Sequence, residues 1–207
     1  MKKMMMIAAL MVATLSANAQ REVGSVTLKP MVGMTISNMT KAPGSKALVG
    51  LAAGAEVEYQ ISNSFSLTGG LIYSMQGCKS EENLFEDVPA VANYKMKATV
   101  HEDYLNIPIL ANFYVTKGLA LKAGIQPGFN VRNSMTVEGN KIAPDYKANT
   151  MDLSIPFGIS YEFSDFVIDF RYQLGLTNIF KKLNYEGDVY ETKSKNSVFM
   201  ISLGYKI

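Results

Sequence analysis

The chain has 207 residues, with 20 Lys and Arg against 18 Asp and Glu, one His and one Cys. That length suits one domain, and the near-neutral charge offers no concentrated basic patch for nucleic acid. A lone cysteine excludes an intramolecular disulfide, and one His with one Cys at no ligand spacing gives no support for a metal or cofactor site.

The first twenty residues, MKKMMMIAALMVATLSANAQ, run in a characteristic order. Lys2 and Lys3 precede an apolar block from Met4 to Leu15, and Ala17-Asn18-Ala19 closes the stretch. The block is shorter than the roughly 20 residues a membrane helix needs. These features predict a secretory signal peptide over 1–19, cleaved after Ala19, and a single domain over 20–207. Without Lys2 and Lys3 the basic and acidic residues balance at 18 each. No later stretch is apolar over the length of a membrane helix, so an exported chain of this kind is a soluble periplasmic domain or an outer-membrane β-barrel.

Period-two alternation fills the rest of the chain. It covers approximately 25–37, 47–61, 65–77, 103–115, 119–133, 150–163, 166–177 and 197–207. Each segment is long enough for a tilted membrane strand of about 9–11 residues. Over 166–177, Phe166, Ile168, Phe170, Tyr172, Leu174 and Leu176 oppose Asp169, Arg171, Gln173 and Gly175. Over 150–163, Met151, Leu153, Ile155, Phe157, Ile159, Tyr161 and Phe163 oppose Asp152, Ser154, Pro156, Gly158, Ser160 and Glu162. The connections alternate in length. Tight turns at 63–64, 116–118 and 164–165 are interleaved with long polar loops at 38–46, 78–102, 134–149 and 178–196.

This pattern predicts an all-β fold, an eight-stranded antiparallel up-and-down transmembrane barrel of OmpA/OmpX-like size. Its short turns and both termini would be periplasmic and its long loops external. A soluble barrel of lipocalin type would show the same alternation with its apolar face inward. Three features favour apolar-out: Gly, Ser and Ala crowd the polar face, aromatics collect near strand ends, and the turns alternate short and long. Tyr59, Phe65, Phe113, Tyr161, Phe163, Phe166 and Tyr205 would form one interfacial girdle, with Tyr73, Phe129, Tyr172 and Phe199 in the other. Pro30, Pro108, Pro127 and Pro156 fall inside segments. Proline removes a ladder donor, which predicts bulges or later strand starts there.

The charges on the polar face are Lys29, Glu56, Glu58, Lys122, Arg132, Asp152, Glu162, Asp169 and Arg171, five acids against four bases. Eight strands enclose a space just wide enough for side chains, so this near-balanced set predicts a plug of ion pairs rather than a pore. A proton or ion relay through Asp169 and Arg171 is the rival reading. His101, with Ser74, Ser80, Glu81 and Glu102 nearby in sequence, could supply a rim hydrolase or acyltransferase, but no motif fixes that geometry. Cys78 reads as an unpaired loop or lumen cysteine. Glu81, Glu82, Glu86 and Asp87 read as solvated loop charge. No catalytic, cofactor-binding or metal residue is assigned.

"YLNIPILANFYV" (104–115), "LKAGIQPGFNV" (121–131), "MDLSIPFGISYEF" (151–163), "FVIDFRYQLGLTNI" (166–179) and "VFMISLGYKI" (198–207) follow one another in order. The ordered set resembles the PorT-like outer-membrane β-barrel family of Bacteroidetes. The resemblance implies an eight-stranded barrel in the cell outer membrane, with a founding member associated with type IX protein secretion. The expected function is a structural or interaction barrel acting through its external loops. Its partners would be outer-membrane lipid and a protein or glycan at the loops, without nucleic acid, and a secretion-associated role would follow the resemblance. The alternatives are a small porin-like channel or transporter, a soluble ligand-binding barrel, and a lipid-modifying outer-membrane enzyme.

Overall fold

The computed structural model describes residues 22–40, 44–83, 95–142, 149–179, 183–185, 188–190 and 194–207. The expected leader over 1–19, and Glu86 and Asp87, lie outside them, as do the side chains of Glu81 and Glu82. The strands are β1 (Val26–Met39), β2 (Ser45–Ser62), β3 (Phe65–Asn83), β4 (Lys95–Asn106), β5 (Ile109–Thr116), β6 (Leu119–Val137), β7 (Asn140–Ile142), β8 (Met151–Phe163), β9 (Phe166–Gly175), β10 (Leu183–Tyr185), β11 (Asp188–Tyr190) and β12 (Asn196–Tyr205).

Every pairing is antiparallel, and the order closes on itself. β1 pairs β2, β2 pairs β3, and β3 pairs both β4 and β5, which also pair β6. β6 pairs β8, β8 pairs β9, β9 pairs β12, and β12 returns to β1. β4 and β5 occupy one position in the ring, so the barrel has eight strands. Closure removes the unpaired edges that an open sheet would expose. β7 folds back on β6 through Glu138 and Gly139, whose φ values of 47° and 82° suit the two positive-φ positions of a tight hairpin turn. β10 and β11 form a separate hairpin.

The two faces of the ring are chemically opposite. Val26, Leu28, Val32, Met34 and Ile36 of β1 point outward and are exposed, as are Phe199, Ile201, Leu203 and Tyr205 of β12. Thr27, Lys29, Thr35 and Ser37 point inward and are buried. From Val26 to Ile36, or Phe166 to Leu176, the outward apolar residues cover about 33 Å of strand, or about 25 Å along the axis of a barrel tilted near 40°. A continuous apolar belt of that height far exceeds the patch of a few hundred Å² that a soluble monomer exposes. Apolar-out is therefore the observed arrangement, in a geometry that fits a bilayer.

Three expectations need correction. First, the long connections are not wholly loops. β3 runs on to Asn83, β4 begins at Lys95, and β6 extends to Val137 before its hairpin with β7. In these extensions the alternation reverses its sense: Ala98, Val100, Cys78, Met135 and Val137 fall on the lumen side, and Lys79, Lys97, Thr99, Ser134 and Thr136 face out. Second, the prolines make no register shift. Only Pro108 interrupts a strand, between β4 and β5. Register is continuous through Pro30 and Pro127, and beside Pro156 the β6–β8 ladder merely skips a step. The register shifts lie elsewhere, at Ala47/Ala52, Gln60/Ser62, Asp103/Tyr104 and Tyr114/Thr116. Third, Arg132 does not line the lumen. The shift beside Asp103 inserts one extra β6 residue, and Arg132 emerges on the outer side with its side chain 51% exposed.

The aromatic bands sit at the two rims as their sequence positions suggest. Phe166 stacks on Phe163 and meets Tyr205 edge-on at the short-turn end, with ring centroids 5.7 and 5.2 Å apart. At the other rim Tyr73 donates to Asp103 at 2.6 Å, and Tyr172 lies 2.8 Å from the Ser197 hydroxyl. These rings keep an apolar body in the belt and a hydroxyl in the polar layer beside it.

Candidate functional site

Among the described residues the lumen is where chemistry-bearing side chains converge, and it is built by strand parity. An inward residue at every second position of eight strands brings charges that are far apart in sequence to one axis.

Arg171 on β9 is the hub of the middle of the barrel. Its Nη1 donates to Glu56 Oε1 on β2 at 2.8 Å, and its Nη2 donates to Asp169 Oδ2 at 3.0 Å. Lys29 on β1 reaches Glu56 Oε2 at 2.6 Å, and Lys122 on β6 reaches Asp169 Oδ2 at 2.7 Å. All five side chains are buried. β9 and β2 are separated by β12 and β1 around the ring, so the Arg171–Glu56 bond crosses the lumen. Small residues make room for it. A Cβ on Gly70 would come within 2.7 Å of Glu56 Cγ, and one on Gly204 within 2.8 Å of Lys29 Cγ.

A second cluster lies at the short-turn end. Lys206 bridges Glu162 at 2.6 Å and Glu58 at 3.0 Å. Glu58 also accepts from Ser66 at 2.5 Å and from the Tyr114 hydroxyl. Asn112 donates to Ser66 and Thr68 at 2.8 and 2.7 Å. Buried charges persist only when paired and hydrogen-bonded, and both clusters meet that condition.

The long-loop end is different. Tyr104 donates to Glu102 Oε2 at 2.9 Å. Asn196 Nδ2 donates to Asp152 Oδ2 at 3.0 Å, and Thr177 donates to Asp152 Oδ1. Gln126 donates to Gln173 at 2.9 Å. No described Lys or Arg pairs with Glu102 or Asp152 here. One step beyond, Met39, Cys78 and Ile179 form an apolar cluster with Val100 packed against it. Ile179 is held there by main-chain bonds to Ser194 and Asn149.

Of the nine charges expected inside, eight are inward, and Arg132 instead pairs Asp103 at 3.6 Å on the outer side. Asp169 and Arg171 are indeed in contact, within a closed network. The rim hydrolase constellation does not assemble. His101 and Glu102 are successive strand residues and face opposite sides. Glu102 is buried with Ser74, whose hydroxyl accepts from Asn106 and Gln76, and His101 pairs with Gly77 and Ser134 on the outer face. Ser80 lies further up β3, opposite Ser45 and Ala98. Cys78 is a buried lumen thiol. Among the described residues no group of three His, Cys, Asp or Glu side chains is placed to hold a metal. The set of nine lacks two charges that are inward, Lys206 and Glu102. Lys206 lies on the polar side of the last segment. Glu102 falls just before the alternation becomes visible.

Residues 17–181 match the family model described as outer membrane protein beta-barrel domain. The chain belongs to that outer-membrane β-barrel family, so its apolar belt faces outer-membrane lipid. No curated protein sequence matches the chain. Among solved structures, Ail, the attachment invasion locus protein of Yersinia pestis, is similar at 16% identity, with 90% of this chain and 100% of that one covered and a TM-score of 0.49. OprG from Pseudomonas aeruginosa is similar at 16% identity, covering 91% and 98% with a TM-score of 0.45. Neisserial surface protein A is similar at 14% identity, covering 90% and 100% with a TM-score of 0.43.

Proposed function

We propose that the protein is a non-enzymatic interaction barrel of the outer membrane, which presents its long-loop end outside the cell to a protein or glycan. The observation that carries this reading is the Arg171–Glu56 bond across the lumen, with both side chains fully buried. A plugged axis leaves the projecting end as the working surface. The extensions of β3, β4 and β6, with β7, carry a polar sheet beyond the belt, including exposed Lys79, Lys97 and Lys141. The alternation of short turns and long connections supports external loops and periplasmic termini, and the N-terminal pattern supports export by a cleaved leader. The secretion-associated role implied by the PorT-like motifs is one form of this reading, in which the partner is a component of a secretion machine.

The test is to replace residues 80–98 with a two-residue turn and display both forms on cells. The full barrel should capture a protein or glycan ligand from an array, and the trimmed barrel should fold but lose it. Equal binding by both, or ohmic conductance with no ligand for either, would contradict the reading. For the secretion form, deletion of the gene should abolish export of secreted proteins in the source organism, and unchanged export would remove it.

A further inference from the structure

The charges of the lumen are unevenly compensated along its axis. The middle cluster sets three bases against two acids, and the short-turn cluster sets one base against two. The long-loop end holds Glu102 and Asp152 with no described base in contact with either. A buried carboxylate without a cation is costly, so something must offset these two.

We propose that the long-loop end of the lumen is a binding site for a hard divalent cation of the calcium class, held between Glu102 and Asp152. The geometry points to one locus. Glu102 and Asp152 sit on β4 and β8, two steps apart in the ring. The strand between them, β6, places Gly128 directly opposite Asp152. A Cβ there would come within 2.5 Å of Asn106 Oδ1 and 3.4 Å of the Tyr104 ring, so glycine lets Asn106 and Tyr104 pack against β6 beside Asp152. Asn196, from the far side of the barrel, reaches Asp152 and also the Tyr104 hydroxyl, which fixes its amide between the two carboxylates.

The locus also holds oxygens that accept nothing. Glu102 Oε1 and, apart from the acids, Asn196 Oδ1 are buried without a hydrogen-bond partner, on residues that are 0% and 3% exposed. Buried acceptors are normally satisfied. Two carboxylates with the unused Glu102 Oε1 and the free amide oxygen of Asn196, and no nitrogen or sulfur ligand among them, match the all-oxygen preference of Ca²⁺. Its flexible coordination at about 2.3–2.6 Å suits a mixed carboxylate and amide set better than the strict octahedron of Mg²⁺. The apolar cluster of Met39, Cys78 and Ile179, with Val100 against it, is buried at the same end of the barrel.

The experiment uses the full chain, refolded in neutral detergent free of lipopolysaccharide and titrated with Ca²⁺ and, separately, Tb³⁺. Wild type should bind one Ca²⁺ by calorimetry and give tyrosine-sensitised Tb³⁺ emission through Tyr104. Glu102→Gln and Asp152→Asn, each nearly isosteric, should weaken Ca²⁺ by about tenfold or more. Tyr104→Phe should dim the emission while retaining Ca²⁺. Folding of each variant is checked by its faster gel mobility when unboiled. Binding that survives both carboxylate substitutions would place the ion on the external acids and overturn the proposal. Absence of any Ca²⁺ heat or Tb³⁺ emission in folded wild type would overturn it as well, leaving water as the occupant of the free acceptors.

Discussion

At the level of the lipid belt, the two faces of each strand meet different surroundings. In the extensions above it, the outward face is polar and an apolar cluster lies on the inner one. β9 illustrates the first case, with Phe166, Phe170 and Leu174 exposed to lipid and Asp169, Arg171 and Gln173 buried in the lumen. The outer part of β4 illustrates the second, where Lys97, Thr99 and His101 occupy the outward positions that aliphatics hold lower down. One backbone ladder passes through both regions, and the period-two alternation reverses its sense between them. The outward Asp103–Arg132 pair marks the boundary between them.

The largest effect expected from breaking this contrast lies inside the belt. Arg171→Ala leaves Glu56 and Asp169 facing each other without their shared cation, which should cost about 3–5 kcal/mol of stability. Urea unfolding of the barrel refolded in lipid vesicles measures it, and adding Glu56→Gln should recover part of the loss. Next comes the outward face. Phe170→Arg places a charge near mid-belt and should cost about 2–4 kcal/mol, whereas Thr99→Arg, outward but beyond the boundary, should cost about 0–1 kcal/mol. Equal costs at the two positions would erase the distinction between the regions. Gly204→Val forces a side chain against the Lys29 stem and should cost about 1–3 kcal/mol by overpacking, read as a lower unfolding midpoint. The smallest effect belongs to the boundary itself. Arg132→Ala removes a 3.6 Å ion pair whose arginine is half exposed and leaves the buried Asp103 its Tyr73 donor, so it should change stability by about 1 kcal/mol.

The same contrast explains what could be read in advance. Where lipid meets one face and a crowded lumen the other, hydropathy alone fixes parity. The ring of eight strands, the outward aromatics and the inward Lys29, Glu56, Lys122, Asp169 and Arg171 all follow from it. Arg132 was misassigned because one extra residue beside the Asp103/Tyr104 register shift reverses parity, and no local residue type announces that shift. The extensions of β3, β4 and β6 read as loops because their outward residues are polar, so the alternation reverses there and does not continue the outward apolar row. Glu102 reads as a rim candidate and not as a lumen charge because it stands where the alternation reverses. Which charges touch which was never legible. The Arg171–Glu56 contact depends on ring closure bringing β9 within reach of β2 across the lumen, a property of topology rather than of any segment.

The central claim is that this outer-membrane barrel is closed along its axis by its own side chains. Single-channel recording of the refolded protein in planar bilayers tests it most directly. The account predicts insertion without stable conductance steps in wild type, with steps appearing, if anywhere, in a variant that strips Arg171, Glu56 and Lys122 together. Large, stable, ohmic steps from the wild-type protein would contradict it.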